Sequence, residues 1–321
     1  MTSPTAHVVS VSGGKDSTAL LLLALQRCPA GSVFPIFCDT GHEHQATYDY
    51  LDYLERELGV TITRLKADFS KEIARKRMFI ARDQRTRRDA KGRKVRWSNK
   101  AKRRALAVLY PSGNPFLDLC LWKGRFPSRR AQFCTDFLKK QQAVAHQLDL
   151  VDQGYRVISW QGVRRDESHA RRDAKLMQRL GPDMWAFRPL VEWTAADVFA
   201  FADSKGIRPN PLYLRGMSRV GCMPCINCGK EELREIAGRF ASEIDRVERW
   251  ELLVGQASKR GFSTLRHENG EAKDRREVFA KLNIRAAVEW SKTTHGGRQY
   301  DLLADNESGS QVCASAYGLC E

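Results

Sequence analysis

The sequence lacks any apolar run long enough to cross a bilayer, since its longest strongly apolar stretch is Ala19–Leu25. A spanning helix needs roughly 20 apolar residues, so we expect no transmembrane segment and no membrane partner. The chain also opens without a charged region followed by an apolar one, so we expect no secretory signal. Nine cysteines in a chain with 42% apolar and 29% charged residues predict a soluble cytoplasmic protein. In a reducing compartment, clustered cysteines more often bind metal or react than form disulfides.

Acidic residues are scarce in one segment of the chain. Residues 71–104 hold 16 lysines and arginines against three acids, which is +13 of the protein's net charge of +16. The rest of the chain is therefore nearly neutral. A concentrated positive charge attracts polyanions through counterion release, which favours DNA or RNA as a partner of residues 71–104. The alternative is a solvated insert that has no partner.

The N-terminal half alternates short apolar runs with amphipathic segments. Strands are predicted at residues 7–11, 33–38, 60–65 and 156–160, and helices at 16–28, 45–58, 133–148 and 194–204. This rhythm predicts an α/β fold with a doubly wound parallel sheet that helices cover on both faces. Residues 83–114 interrupt the rhythm with basic and turn-forming residues, so we interpret them as a basic insertion or flexible lid.

A domain boundary is predicted near residue 215. Residues 1–215, with the insertion at 83–114, would form a nucleotide-binding domain. Residues 216–321 would form a helical, cysteine-bearing C-terminal region, with amphipathic helices at 230–240 and 242–258.

A glycine turn follows the first predicted strand and precedes the first helix. It consists of Ser12, Gly13, Gly14, Lys15, Asp16 and Ser17. The glycines let the backbone approach an anion, and the amides and dipole of the following helix favour negative charge. The glycine spacing fits neither the ordinary P-loop nor the dinucleotide-binding fingerprint. The turn therefore predicts a phosphate site of another class.

This turn resembles the pyrophosphate-binding loop of the ATP pyrophosphatase (PP-loop) superfamily, which includes thiouridylases, amidotransferase synthetases and PAPS reductases. Further stretches resemble the PAPS reductase family in the family's own order: Phe37 to Glu43, Gly162 to Ser168 with Arg171, Arg188 to Leu190, Asn210 to Tyr213, and Gly221 to Cys225. The resemblance covers roughly residues 8–230 and leaves out the basic insertion and the C-terminal third. It implies an adenine nucleotide alpha hydrolase-like sheet.

The resemblance also implies a bound adenine nucleotide, which is ATP with Mg²⁺, or PAPS or APS. Phe37 and Asp39 would flank the adenosine, and Lys15 and Asp16 would be catalytic. The implied nucleotide-binding set is Ser12, Gly13, Gly14, Lys15, Asp16, Ser17, Phe37, Asp39, Gly162, Arg164 and Arg171. Guanidinium groups suit this role because they hold phosphate or sulfate by paired hydrogen bonds. For residues 42–44 we favour helix-start capping over a metal site.

Three cysteines form a C-x-x-C-x-x-C motif, namely Cys222, Cys225 and Cys228. Thiolates at this spacing can meet one metal or cluster, with Cys134 as the best further ligand. In APS reductases a Cys-Cys pair and a later C-x-x-C hold a four-iron cluster. Here a phenylalanine replaces one cysteine of the pair, so Cys228 or Cys120 would complete the set. We predict a 4Fe–4S cluster on Cys134, Cys222, Cys225 and Cys228; zinc and free thiols are the alternatives.

Two further cysteines, Cys313 and Cys320, lie near the end of the chain. The reductases carry a cysteine near a mobile C-terminus that attacks the sulfonucleotide sulfur, which implies a catalytic role for Cys320. A mobile thiol can also carry a persulfide. The alternative is an inert tail.

Three functions compete for this sequence. The first is ATP-dependent sulfur transfer to a nucleic acid, as in the sulfurtransferase of DNA phosphorothioation systems, with a sulfur donor protein such as a cysteine desulfurase. The second is thiol-dependent reduction of PAPS or APS to sulfite. The third is nucleic-acid binding without catalysis, against which the intact glycine turn argues. The glycine turn, the cysteines and the local positive charge together favour the first function.

Overall fold

The computed structural model describes residues 3–85, 96–266 and 281–293, together with residues 88, 92 and 277. It separates into two compact units. The first contains the described residues up to 67 and residues 135–227, and the second contains residues 68–134 and the described residues from 228 onward. The boundary near residue 215 stays a prediction. The compact units follow a different division, which groups the basic segment with the C-terminal helices.

The first unit is built on a six-stranded sheet with the order β3-β2-β1-β4-β6-β5. The strands are β1 (Thr5–Ser10), β2 (Val33–Asp39), β3 (Thr63–Lys66), β4 (Arg156–Trp160), β5 (Met177–Gly181) and β6 (Met184–Phe187). All neighbours are parallel except β5 and β6. The predicted doubly wound α/β fold is confirmed. The last two strands were not predicted, because β5 is largely exposed and carries no alternating apolar pattern, and β6 is only four residues long.

Helices surround the sheet of the first unit and form the second. They are α1 (Lys15–Arg27), α2 (Gln45–Leu58), α3 (Ser70–Arg82), α4 (Asn99–Val108), α5 (Pro115–Lys123), α6 (Gln141–Asp152), α7 (Ala195–Ser204), α8 (Pro211–Leu214), α9 (Lys230–Arg239), α10 (Ala241–Ala257) and α11 (Ile284–Ser291). The predicted helix over 133–148 is instead a π-helical turn, Thr135–Lys140, followed by α6. None of the described helices combines the length and apolar character that a membrane span requires.

The sheet of the first unit has a core on each face. Val9 and Leu20 belong to the core shared with α1, α2 and α7. Ala6 and Val8 belong to the opposite core, which α6 covers through Ala143. Successive residues of β1 therefore enter opposite cores, as the strand period of two requires. Because strand order reverses between β1 and β4, ligands are expected in the crevice at their carboxyl ends.

Side-chain caps set the starts of two helices, α7 and α2. Thr194 Oγ1 accepts a hydrogen bond from Asp197 N–H at 3.2 Å, and Asp197 Oδ2 accepts from Thr194 N–H at 2.8 Å. His44 Nδ1 accepts from Ala46 N–H at 3.0 Å. The capping interpretation is therefore confirmed for His44.

In the second unit, α3 and α4 form an antiparallel pair. Arg77 Nη1 donates to the carbonyls of Leu106 and Leu109 at 2.7 and 2.9 Å, near the end of α4. Lys102, near the start of α4, donates from Nζ to the carbonyl of Asp83 at 2.7 Å, and Asp83 directly follows α3. Residues 99–108 form a helix, and Lys102 of that helix binds backbone carbonyls. The interpretation of residues 83–114 as an insertion or flexible lid stays a prediction.

Leu54→Ala in α2 is expected to lower the free energy of unfolding by about 2–5 kcal/mol, because it leaves a cavity in the core. Leu54 is fully buried, whereas Leu148 of α6 is 48% exposed. The control Leu148→Ala should therefore change stability by less than about 0.5 kcal/mol. Urea denaturation of both variants measures this difference, and equal losses would contradict the core assignment.

Candidate functional site

The turn between β1 and α1 is held in shape by its own hydroxyl groups. Ser17 Oγ accepts from Ser12 N–H at 3.1 Å and donates to the Gly14 carbonyl at 3.0 Å. Gly14 is the helix N-cap and brings no capping side chain. Gly13 has a φ of +80°, and a Cβ there would lie 3.0 Å from Thr47 Cγ2. The turn thus requires glycine at Gly13 for both conformation and space.

A segment about 200 residues away in sequence supports this turn. Asn210, which is 1% exposed, donates from Nδ2 to the Gly13 carbonyl at 3.1 Å. The Tyr213 hydroxyl accepts from Lys15 N–H at 2.9 Å. One of the first amides of α1 is therefore already bonded. Sequence reasoning quoted residues 210–213 as part of the resemblance but assigned them no role, because no local pattern shows a contact this distant.

Asp16 forms a buried ion pair with Arg164. Arg164 Nε lies 2.6 Å from Asp16 Oδ1, and Lys15 Nζ lies 3.3 Å from Asp16 Oδ2. A Cβ on Gly162 would lie 3.4 Å from the backbone of Asp16, so a glycine allows the two loops to meet closely. The ion pair joins the loop after β4 to the start of α1. Removing one partner of a buried ion pair typically lowers the free energy of unfolding by about 3–5 kcal/mol, so each of these two charged residues needs the other.

Both arginines of the implied phosphate set contact carboxylates. Arg164 also pairs with Asp166, at 2.6 Å between Nη1 and Oδ1. Arg171 is 4% exposed and pairs with Glu167. The implied role of these guanidinium groups in binding phosphate or sulfate stays a prediction.

An open pocket of about 550 Å³ lies at the carboxyl ends of the central strands. The structure brings four of the predicted nucleotide-binding residues into its lining: Ser12, Ser17, Phe37 and Gly162. Lys139 and Glu43 line it too, and sequence reasoning had not assigned them to the nucleotide. The sequence feature that could have indicated Lys139 was its position on the helical segment after Cys134. Lys15 lines a second pocket, with Asn210 and Tyr213.

Asp39 accepts hydrogen bonds from the loop that follows it and from α2. Its Oδ1 accepts from Gly41 N–H at 2.9 Å and from the Tyr48 hydroxyl at 2.8 Å. Burial, together with the nearby carboxylates of Glu43 and Asp39, raises the pKa of Tyr48 above its usual range. Tyr48 thus stays a hydroxyl donor at neutral pH and also packs edge-on against Phe37, with 5.9 Å between ring centroids.

The loop after β2 pairs with the loop that carries the first motif cysteine. Glu43 and Cys222 form an antiparallel bridge, and Met223 N–H donates to the His42 carbonyl at 2.8 Å. Thr40 Oγ1 donates to Glu43 Oε1 at 2.7 Å. Cys222 Sγ lies 3.6 Å from Thr40 Oγ1 and 3.8 Å from Glu43 Oε1. A thiol therefore lies beside Glu43, which lines the open pocket.

Among the residues that the structure describes, no three His, Cys, Asp or Glu side chains lie close enough together to hold a metal ion. The Sγ of Cys225 accepts from Asn227 N–H at 3.4 Å, and that of Cys228 accepts from Arg266 Nη1 at 2.8 Å. The ligand set with Cys134 stays a prediction, and Cys313 and Cys320 lie outside the described residues.

Cys38 also lines the pocket but is a poor nucleophile. Burial raises the pKa of its thiol to about 12, and its Sγ donates to the Lys139 carbonyl at 3.5 Å. The thiolate that nucleophilic chemistry needs is therefore scarce at neutral pH.

Comparison with known proteins gives the family. The phosphoadenosine phosphosulfate reductase domain matches residues 6–228, so the chain belongs to that family. A 37.8 kDa protein from the gpa 5' region of Escherichia phage 186 is 45% identical over 331 residues, which covers 99% of this chain and 97% of the relative. The nin region protein ORF290 of Escherichia phage lambda is 30% identical over 162 residues, covering 50% of this chain and 49% of that protein.

Reductases match over a shorter stretch. The adenosine 5'-phosphosulfate reductase of Chelativorans sp. (strain BNC1) is 31% identical over 80 residues, 25% of this chain and 32% of the reductase. A phosphoadenylyl-sulfate reductase structure from Candida auris has a TM-score of 0.39 at 17% identity, covering 67% of this chain and 80% of that one. Family membership makes this protein an enzyme of the PP-loop, PAPS reductase type, with nucleotide-binding, sulfur-related chemistry.

Gly13→Ala is expected to weaken ATP binding about tenfold or more, because the new methyl group contacts Thr47 and displaces the turn. Gly31 is the matched control, since its φ is +77° and nothing lies within 4 Å of its Cβ position. Gly31→Ala should carry a similar backbone strain but leave ATP affinity unchanged. Calorimetric titration of both variants measures the affinities, and equal affinities would contradict the assignment of this turn.

Proposed function

We propose that the protein catalyses ATP-dependent sulfur transfer to a nucleic-acid acceptor. The observation that carries this proposal is the presence, on one chain, of a glycine turn beside an open pocket at the strand ends and of helices that expose several cations to solvent. A small sulfonucleotide needs only a few basic residues. A long polyanion gains affinity from an extended cationic surface.

The first step activates the acceptor. An acceptor oxygen attacks the α-phosphorus of ATP, the bond to the bridging oxygen breaks, and pyrophosphate leaves with both electrons of that bond. The positive end of the α1 dipole and Lys15 suit the β- and γ-phosphates, which carry Mg²⁺ in solution, and neutralise charge on the leaving group. Asp16 would act by positioning, because its carboxylate orients Arg164 and Lys15.

The second step replaces the adenylated oxygen with sulfur. The terminal sulfur of a protein persulfide attacks the activated atom, and AMP leaves with the acceptor oxygen. A thiol then attacks the carrier sulfur of the resulting disulfide and releases the thiolated product, and a dithiol reductant restores the thiols. A cysteine desulfurase is the class of partner that supplies persulfide sulfur. Cys320 is our candidate carrier thiol on this chain.

A second candidate is reduction of PAPS or APS to sulfite, which the match to APS reductases favours. A thiolate would attack the sulfate sulfur, the phosphoadenosine or adenosine phosphate would leave, and a second thiol would release sulfite and form a disulfide. This reaction consumes no ATP and needs no nucleic acid.

Pyrophosphate release from ATP is expected to depend on added DNA or RNA. Lys15→Ala should lower this rate at least about tenfold, because the variant loses a charge-assisted contact to the leaving group. Lys205→Ala, at the exposed end of α7, is the control and should retain the rate. Sulfite release from PAPS with a thiol reductant, without ATP consumption, would instead establish the second candidate.

Anaerobically purified protein is expected to contain iron and acid-labile sulfide in cluster stoichiometry. Cys222→Ser should lose both, because serine is a poor ligand for iron in such clusters. Cys28→Ser, at the end of α1, should keep both. A colourless protein with bound zinc would contradict the cluster and support the zinc alternative.

A further inference from the structure

One face of α3 presents cations on both sides of exposed apolar side chains. Lys71, Arg75 and Arg82 are exposed, and Met78 and Phe79 are 53% and 50% exposed. Their spacing of three and four residues puts them along one side of the helix. The stripe formed by these five residues is the α3 face.

The opposite side of α3 has a structural role. Ile73 and Ile80 are fully buried. Lys76 Nζ donates to the carbonyls of Leu121 and Trp122 at 2.9 and 2.8 Å, and its burial lowers its pKa to about 8. The positive charge of this helix is therefore divided between carbonyl-bound cations inside the unit and the cations of the α3 face.

Arg85 lies beside the exposed aromatic ring. The Arg85 guanidinium carbon lies 4.9 Å from the centroid of the Phe79 ring, and its Nε lies 2.7 Å from Asp83 Oδ1. Asp83 is 4% exposed and also accepts from Trp97 N–H at 2.9 Å. Arg85 holds the pKa of Asp83 well below its usual range, so the carboxylate that orients this guanidinium stays charged.

We propose that the α3 face binds single-stranded nucleic acid, with a base stacked on Phe79 and phosphates on Lys71, Arg75 and Arg82. Proteins that bind single strands combine cations for the backbone with aromatic rings for the bases. A duplex hides its base faces, so the half-exposed Phe79 would add nothing to duplex binding. This inference rests on the proposed function in that it names the class of acceptor.

The pattern does not suit a membrane surface. A helix that lies on a bilayer inserts its apolar face. The apolar face of α3 is instead occupied by Ile73 and Ile80, which are packed inside the unit. The two exposed apolar side chains have three cations around them. This arrangement suits stacking with a base better than insertion into a bilayer.

Fluorescence anisotropy of the full-length protein with labelled oligothymidine, oligouridine and a duplex of equal length tests the proposal. Phe79→Leu keeps the apolar bulk and should weaken binding to either single strand about tenfold, because stacking is lost. The same change should leave duplex binding unaltered. Arg75→Gln should weaken binding to all strands and reduce the slope of the salt dependence by about one.

Tyr110→Leu is the matched control. Tyr110 is 55% exposed and has the Arg77 guanidinium over its ring, as Phe79 has that of Arg85, but it lies outside the α3 face. The Tyr110→Leu variant should bind single strands with unchanged affinity. Circular dichroism should give the same spectrum for all variants. Equal losses for Phe79→Leu with duplex and single strand would overturn the proposal, as would binding to anionic phosphatidylserine vesicles without binding to oligonucleotides.

The two proposals fail in different assays. Phe79-dependent binding without pyrophosphate release would leave this inference standing and remove the proposed function. Acceptor-dependent pyrophosphate release together with unchanged binding of Phe79→Leu would remove this inference alone.

Discussion

The buried ion pair between Asp16 and Arg164 is the interaction on which the geometry of the pocket depends. It joins the first turn of α1 to the loop after β4, and these segments follow the two strands, β1 and β4, between which the strand order reverses. A charged pair out of water tolerates little displacement, because separated partners lose attraction without regaining full hydration. The pair therefore fixes the edges of the crevice in which a nucleotide can bind.

The cations of the basic segment serve two purposes. Arg77 and Lys102 bind backbone carbonyls and tie α3 to α4, while the cations of the α3 face are exposed to solvent. The net charge of a segment therefore overstates the charge available to a partner. A count of charges along the sequence cannot separate these two groups. Each lysine or arginine adds the same charge to the count whether its side chain supports a helix or contacts a ligand.

Much of the fold could be predicted from the sequence. The period of apolar residues predicted α2 and β4 with their observed bounds and α1 within one residue. The glycine turn was found because the residues that form it are adjacent in the sequence. The contacts of Asn210 and Tyr213 with that turn could not be predicted, since they join segments about 200 residues apart. The antiparallel pair β5–β6 was missed because β5 is exposed and has no apolar alternation, while β6 has only four residues.

The sequence by itself determined the alternation of strands and helices, the glycine turn and the family, because these depend on local periodicity and on contiguous motifs. Only the tertiary structure decided which side chains share a site. It placed Glu43 and Lys139 in the lining with Ser12 and Phe37, and it directed three motif thiols toward different partners. Proximity between distant residues is set by how strands and loops pack, and the spacing of cysteines along a chain leaves that packing open.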